Sequence, residues 1–512
     1  MTSNPILNQM TSLKKLRNLQ TPLRVERRAG QIEISEEHDP DSPGLLPAVL
    51  PEDLGDRSFK ELYKTRYTYY AGAMANGISS EEMVIALGKA GFMGSFGSAG
   101  SSPNRVEQAI INIQKALGDK PYAFNLINSP NEPALERNSA SLYIQHKVRV
   151  VEASAYVDLT VPLVHYRISG LRELPDGTIQ AQNKVIAKLS RREVARLFMS
   201  PAREDIISQL INEGSITQQQ AELARKMPVA DDITVEADSG GHTDNRPLVV
   251  MMPAVIALRD ELQAKYQYTT PVRIGAAGGI STPEAALAAF MMGASYIVTG
   301  SVNQSCREAG TSGHTRNLLA TVSMADVTMC PSSDMFEMGV KVQVLKRGTM
   351  FPMRAQKLYD IYSSYKTWED VPQKDRDNVE KMIFKREFNT VWGDTEKFFQ
   401  ERDPRQLTRA AQDPKYKMAL VFRWYLGLSS RWSTTGEPGR EMDYQIWCGP
   451  AMGGFNDWVR GTYLEKPENR RVVDVAHHIL RGAAYLSRVR LLEAMINDRL
   501  PPEIQKYQVS PL

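Results

Sequence analysis

A chain of 512 residues with 42% hydrophobic content can bury a sizeable core, as one large domain with an appendage or as several smaller ones. Its 62 basic and 59 acidic residues leave a formal charge of +3, which excludes the strong field that nonspecific binding to nucleic acid or an acidic membrane needs. Cys306, Cys330 and Cys448 are too scattered for a disulfide framework or a Cys-x-x-Cys metal or redox pair. No apolar run approaches the about 18 residues of a membrane span, and residues 1–23 lack the apolar segment of a signal peptide. These features predict a soluble, cytoplasmic protein with no metal site.

Residues 1 to about 60 are rich in Pro, Asp, Glu and Arg, with a turn cluster at Asp39-Pro40-Asp41-Ser42-Pro43-Gly44, and read as an extended arm or small cap with little core. From Tyr69 onward, short apolar runs alternate with helical stretches, the pattern of repeated βα units around a parallel sheet. Strands are predicted at 69–73, 92–96, 122–127, 148–153, 184–189, 232–237, 272–276 and 295–299. Eight is the number a (β/α)8 barrel needs. Leu163–Ile168 would also pass as a strand, Pro175-Asp176-Gly177 predicts a hairpin decorating the loop after strand four, and Leu248–Leu258, despite Pro253, reads as a buried helix. An open doubly wound sheet is the alternative, but no Gly-x-Gly-x-x-Gly follows the first strand; Gly94, Gly97 and Gly100 have the wrong spacing.

An internal echo supports the barrel. Gly77-Ile78-Ser79-Ser80-Glu81-Glu82 opens one helix and Gly279-Ile280-Ser281-Thr282-Pro283-Glu284 another. Each shows Ser followed three residues later by Glu, as in a capping box, and each helix stops at a glycine, Gly91 or Gly293, before a new strand. Two units of one design, far apart in the chain, fit the opening and closing quarters of a single barrel. The expected division is an N-terminal arm over 1–60, a barrel over 61–310 and a mainly helical substrate or partner region over 311–512, which carries all six tryptophans.

Barrel enzymes place their chemistry after the strands, which singles out Met74 to Gly77, Asn125, Lys188, His242, Gly278-Gly279 and Gly300-Ser301. The glycine turns after strands seven and eight suit a phosphate, because Gly lets backbone N–H groups approach an anion closely. Lys188 alternates with apolar neighbours and either faces the barrel mouth as a cation or reaches solvent at a strand edge. Asn125 either hydrogen-bonds a ligand or caps a helix. His242 follows Ser239-Gly240-Gly241 at a strand end, a setting for a general acid or base contributing about 10²–10⁴-fold. His477 and His478 are adjacent and point apart on a helix; His314, in a Gly and Thr loop, reads as a surface residue, with a ligand contact as the alternative. The glycine-rich Trp447 to Phe455 stretch reads as a buried inter-helix turn, with the lining of an apolar pocket as the alternative.

Taken together, Asp238-Ser239-Gly240-Gly241-His242, Ala276-Ala277-Gly278-Gly279-Ile280, Ala294 to Ser301 and Ala71 to Ile78 resemble the flavin-binding barrel of the nitronate monooxygenase and flavin enoyl reductase superfamily. Glu152 to Tyr156, Asn303 to Thr311, Ala325 to Val327, Met335 to Val340 and Lys346 to Pro352 are similar to its trans-acting enoyl reductases of polyketide and polyunsaturated-fatty-acid synthases. The resemblance runs from about residue 60 to beyond 460. It implies FMN, reduced by NADPH or NADH, and hydride transfer to an enoyl thioester on an acyl carrier protein. It also implies that Ala73, Met74, Asn125, Lys188, Gly278, Gly279, Val298, Thr299, Gly300 and Ser301 hold FMN and that His242 is catalytic. Ser301 stands where smaller relatives have Thr. A nitronate monooxygenase-like flavin oxidase and a non-catalytic synthase scaffold are the competing readings, and a homodimer is one assembly the sequence leaves open.

Overall fold

The computed structural model describes residues 9–28, 31–130 and 132–511. Eight parallel strands close into a barrel: β1 (Tyr69–Ala71), β2 (Met93–Phe96), β3 (Ala123–Ile127), β4 (Val150–Ser154), β5 (Lys184–Leu189), β6 (Asp232–Glu236), β7 (Arg273–Ala277) and β8 (Ile297–Thr299). β8 pairs with β1 through Ile297↔Tyr69, Val298↔Tyr70 and Thr299↔Ala71, which completes the ring. All eight predicted strands are present, each shifted by at most a few residues. They were legible because a strand covered on both faces must be apolar nearly throughout, and here each is short and bounded by Gly, Pro or polar turns.

The echoed helices form as Glu81–Lys89 and Pro283–Met291, and Gly91 and Gly293 take positive φ values of 85° and 96° beyond them. Both N-caps lie one residue later than the capping-box reading places them. Ser80 accepts from Met83 N–H and Thr282 from Ala285 N–H. Ser79 is instead committed to the barrel mouth, donating to Gly72 C=O and accepting from Met74 N–H.

Three further expectations are corrected. Leu163–Ile168 lies in a helix, Val161–Ile168, because the Thr160 side chain caps it and Pro162 fits its first turn. The Arg172–Glu173 and Ile179–Gln180 hairpin forms around Pro175-Asp176-Gly177, but it follows that helix and therefore leads into β5 rather than out of β4. The helix Leu248–Tyr266 runs through Pro253 and buries Met251, Met252, Val255, Leu258 and Leu262, while Val249 and Val250 remain exposed, so it covers the barrel with one face only.

The ends of the chain also depart from the expected division. Leu16, Leu19, Leu23, Ile32, Ile34 and Leu46 of the N-terminal arm join the same buried cluster as the barrel wall. Their partner is the helix Val472–Ile496, whose Arg488 donates to Asn18 C=O and Thr21 C=O. That helix packs against both Pro283–Met291 and Glu81–Lys89, the helices that follow β7 and β1. It occupies the slot in the outer ring where a helix following β8 belongs. The stretch between the short helix Ser301–Gln304 and residue 471 is thus inserted at the top of the barrel, and the boundary expected at 311 does not separate barrel from non-barrel. Within the insertion, an antiparallel hairpin (Val327–Pro331 with Lys341–Leu345) and helices over 351–435 build a second core around Phe336, Phe351, Leu358, Phe388 and Phe422.

Candidate functional site

The strand ends and the inserted region enclose one cavity of about 540 Å³. Its floor is made by residues of the barrel mouth, and its roof includes Phe398, Phe399, Leu420, Trp424 and Trp447. Ala73, Met74, Asn125, Lys188, His242, Gly278, Gly279, Val298, Thr299, Gly300 and Ser301 all line it. The topology brings them together because parallel strands in a barrel end at the same rim.

On the floor, Lys188 on β5 lies between two carboxylates, Glu152 of β4 at 3.2 Å and Glu236 of β6 at 3.4 Å. Burial alone would lower the Lys188 pKa, but Glu236 and Glu152 outweigh it and hold the ammonium charged. Burial raises the Glu236 pKa, with Lys188 opposing and Glu152 reinforcing. The lysine therefore faces the barrel mouth as a cation, paired with two carboxylates, and is not a solvent-reaching edge residue. Glu152 and Glu236 sit on the inward alternation of their strands, which is where sequence reasoning would have found them had it followed Lys188 to its neighbours.

Glu152 also fixes the backbone after β1, accepting the Ala73 N–H at 2.8 Å. The Ala73 amide is thus already engaged. Asn125 donates through Nδ2 to Glu152 C=O at 3.1 Å and to Ser154 Oγ at 2.8 Å, so its amide hydrogens are engaged within the barrel and only an acceptor, Oδ1, is left to offer a ligand. The Thr299 side chain is buried against Tyr69 and Asn303, so this residue meets the cavity with its main chain.

The turns after β7 and β8 form a cradle. Gly278 and Gly279 take φ values of 83° and 75°, a region that L side chains avoid. A Cβ at Gly279 or Gly300 would meet nothing within 4 Å, so backbone faces the cavity directly at both turns. Ser301 Oγ accepts the N–H of Gly449 at 3.0 Å and keeps its own hydrogen for a further acceptor. Gln304, one turn further on and 2% exposed, carries a buried Nε2 with no hydrogen-bond partner, and Ser332 Oγ, 1% exposed, is in the same condition. Both residues line the cavity. An unpaired buried donor costs about 1–3 kcal/mol, which a polar ligand would relieve.

The histidine loop is stitched to the inserted hairpin. Gly241 and His242 pair antiparallel with Gln343 and Val342. The Gln343 Nε2 donates to Asp238 Oδ1 and to Ser239 C=O, each at 2.7 Å, and its Oε1 accepts from Asn245. His242 Nε2 lies 3.2 Å from Oδ1 and 3.2 Å from Oδ2 of Asp334, which sits in the loop joining the hairpin strands. Enclosure pulls the His242 pKa down, but the Asp334 carboxylate, and then Glu236, overcome this and raise it above the ordinary imidazole value, with Lys188 opposing. In turn, His242 holds the Asp334 carboxyl below its usual range against the effect of enclosure. The two side chains are 32% and 47% exposed, so solvent screens the pair. Nothing in the sequence near His242 announces Asp334, which is 92 positions away.

Only residues 447–450 of the Trp447 to Phe455 stretch form the expected turn, since Ala451–Val459 is a helix, and the stretch also meets the cavity. Trp447 and Ala451 line the cavity, while Cys448 and Gly449 press on the backbone of Ser239 and Gly240. The remaining histidines lie elsewhere. His478 is buried between Tyr463 and Tyr507, His477 packs on Tyr67 and Phe92, and His314 stands at the surface with its ring edge-on to Tyr444.

At one rim of the closed (β/α)8 barrel stand an imidazole, a carboxylate-flanked lysine and two glycine turns, and the family pattern that matches this barrel is one of oxidoreductases. The sequence pattern of the Nitronate monooxygenase family matches residues 57–359, and the chain belongs to that family. The pattern of the inserted helical domain of [acyl-carrier-protein] S-malonyltransferase matches residues 365–444, inside the insertion.

Among known proteins, the chain is 50% identical to one component of the polyunsaturated fatty acid synthase of Thraustochytrium sp. over 87% of its own length and 30% of that protein's. It is 44% identical to polyketide biosynthesis protein PksE of Bacillus subtilis over 89% of its own length and 59% of PksE. The chain spans less than two thirds of these curated relatives. The crystal structure of the enoyl reductase domain of MlnA, from the macrolactin biosynthesis cluster of Bacillus amyloliquefaciens, superposes with a TM-score of 0.82 at 42% identity, covering 86% of this chain and 99% of that one. FabK from Thermotoga maritima shares the fold, with a TM-score of 0.51 at 18% identity, covering 85% of this chain and 98% of that one. Among the described residues no helix is long and apolar enough to cross a membrane.

Proposed function

We propose that this chain is a trans-acting enoyl reductase of a polyketide or polyunsaturated-fatty-acid synthase. It reduces the C=C bond of an enoyl thioester on an acyl carrier protein, with NADPH or NADH as reductant and FMN as the relay. The observation that carries this reading is the likeness to the MlnA enoyl reductase domain, which covers 86% of this chain and 99% of that one.

The site suits FMN on grounds internal to this chain. Exposed backbone at Gly279 and Gly300, the free hydroxyl hydrogen of Ser301 and the unpaired Gln304 amide make a set of neutral donors fit for a phosphate. Asn125 Oδ1 offers an acceptor for a ring N–H, and Ala73, Met74, Val298 and Thr299 supply the adjoining walls. Held by these residues, FMN would supply hydride-transfer chemistry between a nicotinamide and the β-carbon of the enoyl thioester.

This chain's own residues do the rest. The roof of Phe398, Phe399, Leu420 and Trp424 excludes water and accommodates an acyl chain. Reduction of one C=C consumes one hydride and one proton. His242, favoured in its protonated form by Asp334, gives the proton to the α-carbon or hydrogen-bonds the thioester carbonyl. The helical insert, similar in its pattern to one in a transferase that acts on acyl carrier protein, supports a carrier approaching from that side.

Purified protein tests the reading. The expected result is a bound flavin, bleached by NADPH without oxygen and reoxidised by a crotonyl thioester. Reoxidation by a nitronate and not by the thioester would favour the flavin oxidase, and protein that binds no FMN would favour the scaffold.

A further inference from the structure

We infer that Asp334 is a positioning residue that holds His242 with its hydrogen on Nε2, leaving Nδ1 as the nitrogen through which the working proton passes. The inference rests on the reading of His242 as the proton handler of the proposed reaction. Its first observation is geometric. Both carboxylate oxygens of Asp334 lie 3.2 Å from the same imidazole nitrogen, Nε2. An ionised carboxylate only accepts, so Nε2 must donate. Neutral His242 is then the Nε2–H tautomer, and the proton that makes it an acid is carried on Nδ1.

The second observation is that the protein builds a frame for this contact. His242 is held in register with Val342, and Val342 is in turn paired with Cys330 on the other strand of the hairpin. Asp334 stands in the loop between those strands, which is closed by the Ser332 N–H on Val340 C=O and anchored by the Ser333 hydroxyl on Arg423 C=O. Donor and acceptor thus ride on one small sheet, so they keep their distance if that sheet shifts against the barrel.

The charged groups that face His242 come from three elements. Asp334 approaches from the hairpin loop, Glu236 from β6 and Lys188 from β5. Glu236 and Lys188 are paired with each other and act on the imidazole in opposite senses, Glu236 raising its pKa and Lys188 lowering it. Arg423, from the helix Pro414–Thr435, lies close enough to help keep Asp334 ionised. Asp334 is the strongest of the groups that favour the protonated ring.

The test is ¹⁵N NMR of histidine-labelled full-length protein, with the His242 signals identified by their loss in His242→Gln. We expect neutral His242 in the wild type to carry its hydrogen on Nε2. In Asp334→Asn the His242 pKa should fall by about one unit and the tautomer preference should be lost, while Asp334→Glu restores both. Where thioester reduction is measured, its alkaline limb should move to lower pH by the same amount in Asp334→Asn, with KM little changed. A wild-type Nδ1–H tautomer, or an Asp334→Asn protein with an unmoved His242 pKa, overturns the inference. The wild-type tautomer decides the matter even if Asp334→Asn fails to fold. Failure of the wild type to reduce thioesters would instead overturn the proposed reaction and leave the NMR result standing.

Discussion

Gly240 and Cys448 touch backbone to backbone: a Cβ at Gly240 would lie 2.8 Å from the Cys448 nitrogen and 3.0 Å from its Cα and carbonyl carbon. The reciprocal contact is as close, since a Cβ at Gly449 would lie 2.8 Å from the Gly240 nitrogen. The histidine loop and the inserted region therefore meet where only main chain fits.

Gly240→Ala should push the two loops apart, because backbone on the far side cannot swing away as a side chain would. We expect a stability loss of about 1–3 kcal/mol, the usual cost of overpacking, and a larger fall in turnover than in FMN affinity. Thermal unfolding with a parallel FMN titration checks it; wild-type turnover in this variant would refute it.

Lys188→Met leaves Glu152 and Glu236 facing each other without a cation. Removing one partner of a buried pair costs about 3–5 kcal/mol. Burial already raises the Glu236 pKa, and loss of Lys188 removes the group that opposes it. A carboxyl whose folded pKa is raised destabilises the fold above that pKa and ceases to do so when protonated. The deficit of the variant should thus be largest at neutral pH and shrink as the pH falls through the raised Glu236 value. Unfolding midpoints of both proteins between about pH 5 and pH 8 measure it.

Gly300→Ala should separate ligand binding from folding. The added methyl meets no protein atom within 4 Å and enters the cavity instead. We expect an unfolding midpoint close to that of the wild type without flavin, and FMN affinity at least about tenfold weaker, equivalent to about 1.4 kcal/mol. Unchanged affinity would remove this turn from the cofactor site.

Gln343→Leu removes the amide that donates to the Asp238 carboxylate and the Ser239 carbonyl at 2.7 Å each, leaving Asp238 its bond from Asn245 Nδ2 and the Ser239 carbonyl without that donor. A partly buried carbonyl left without its donor costs at most about 1–3 kcal/mol. Because these atoms position the histidine loop rather than the glycine cradle, kcat should fall while FMN still binds. Steady-state kinetics and a flavin titration on the same preparation test this.

What the sequence by itself determined was the barrel and the part of the site that the barrel carries. Buried parallel strands are apolar runs cut by glycine, so β1 to β8 could be counted, and their shared rim placed Asn125, Lys188, His242, Gly278, Gly279, Gly300 and Ser301 together. Helix capping was legible to within one residue, since Ser80 and Thr282 compete with the neighbouring Ser79 and Ser281 for the cap. The tertiary structure alone decided what surrounds those residues. Asp334 reaches His242 across 92 positions, and Gly449 reaches Ser301 across 148. Neither contact leaves a local periodicity, because each joins loops from different layers. The helix Val472–Ile496 reads like any other amphipathic helix, and only closure of the outer ring shows that it fills the barrel's eighth position. Local sequence reports the conformation of a segment, whereas a proton's path or a ring's closing member depends on partners that meet only in the folded chain.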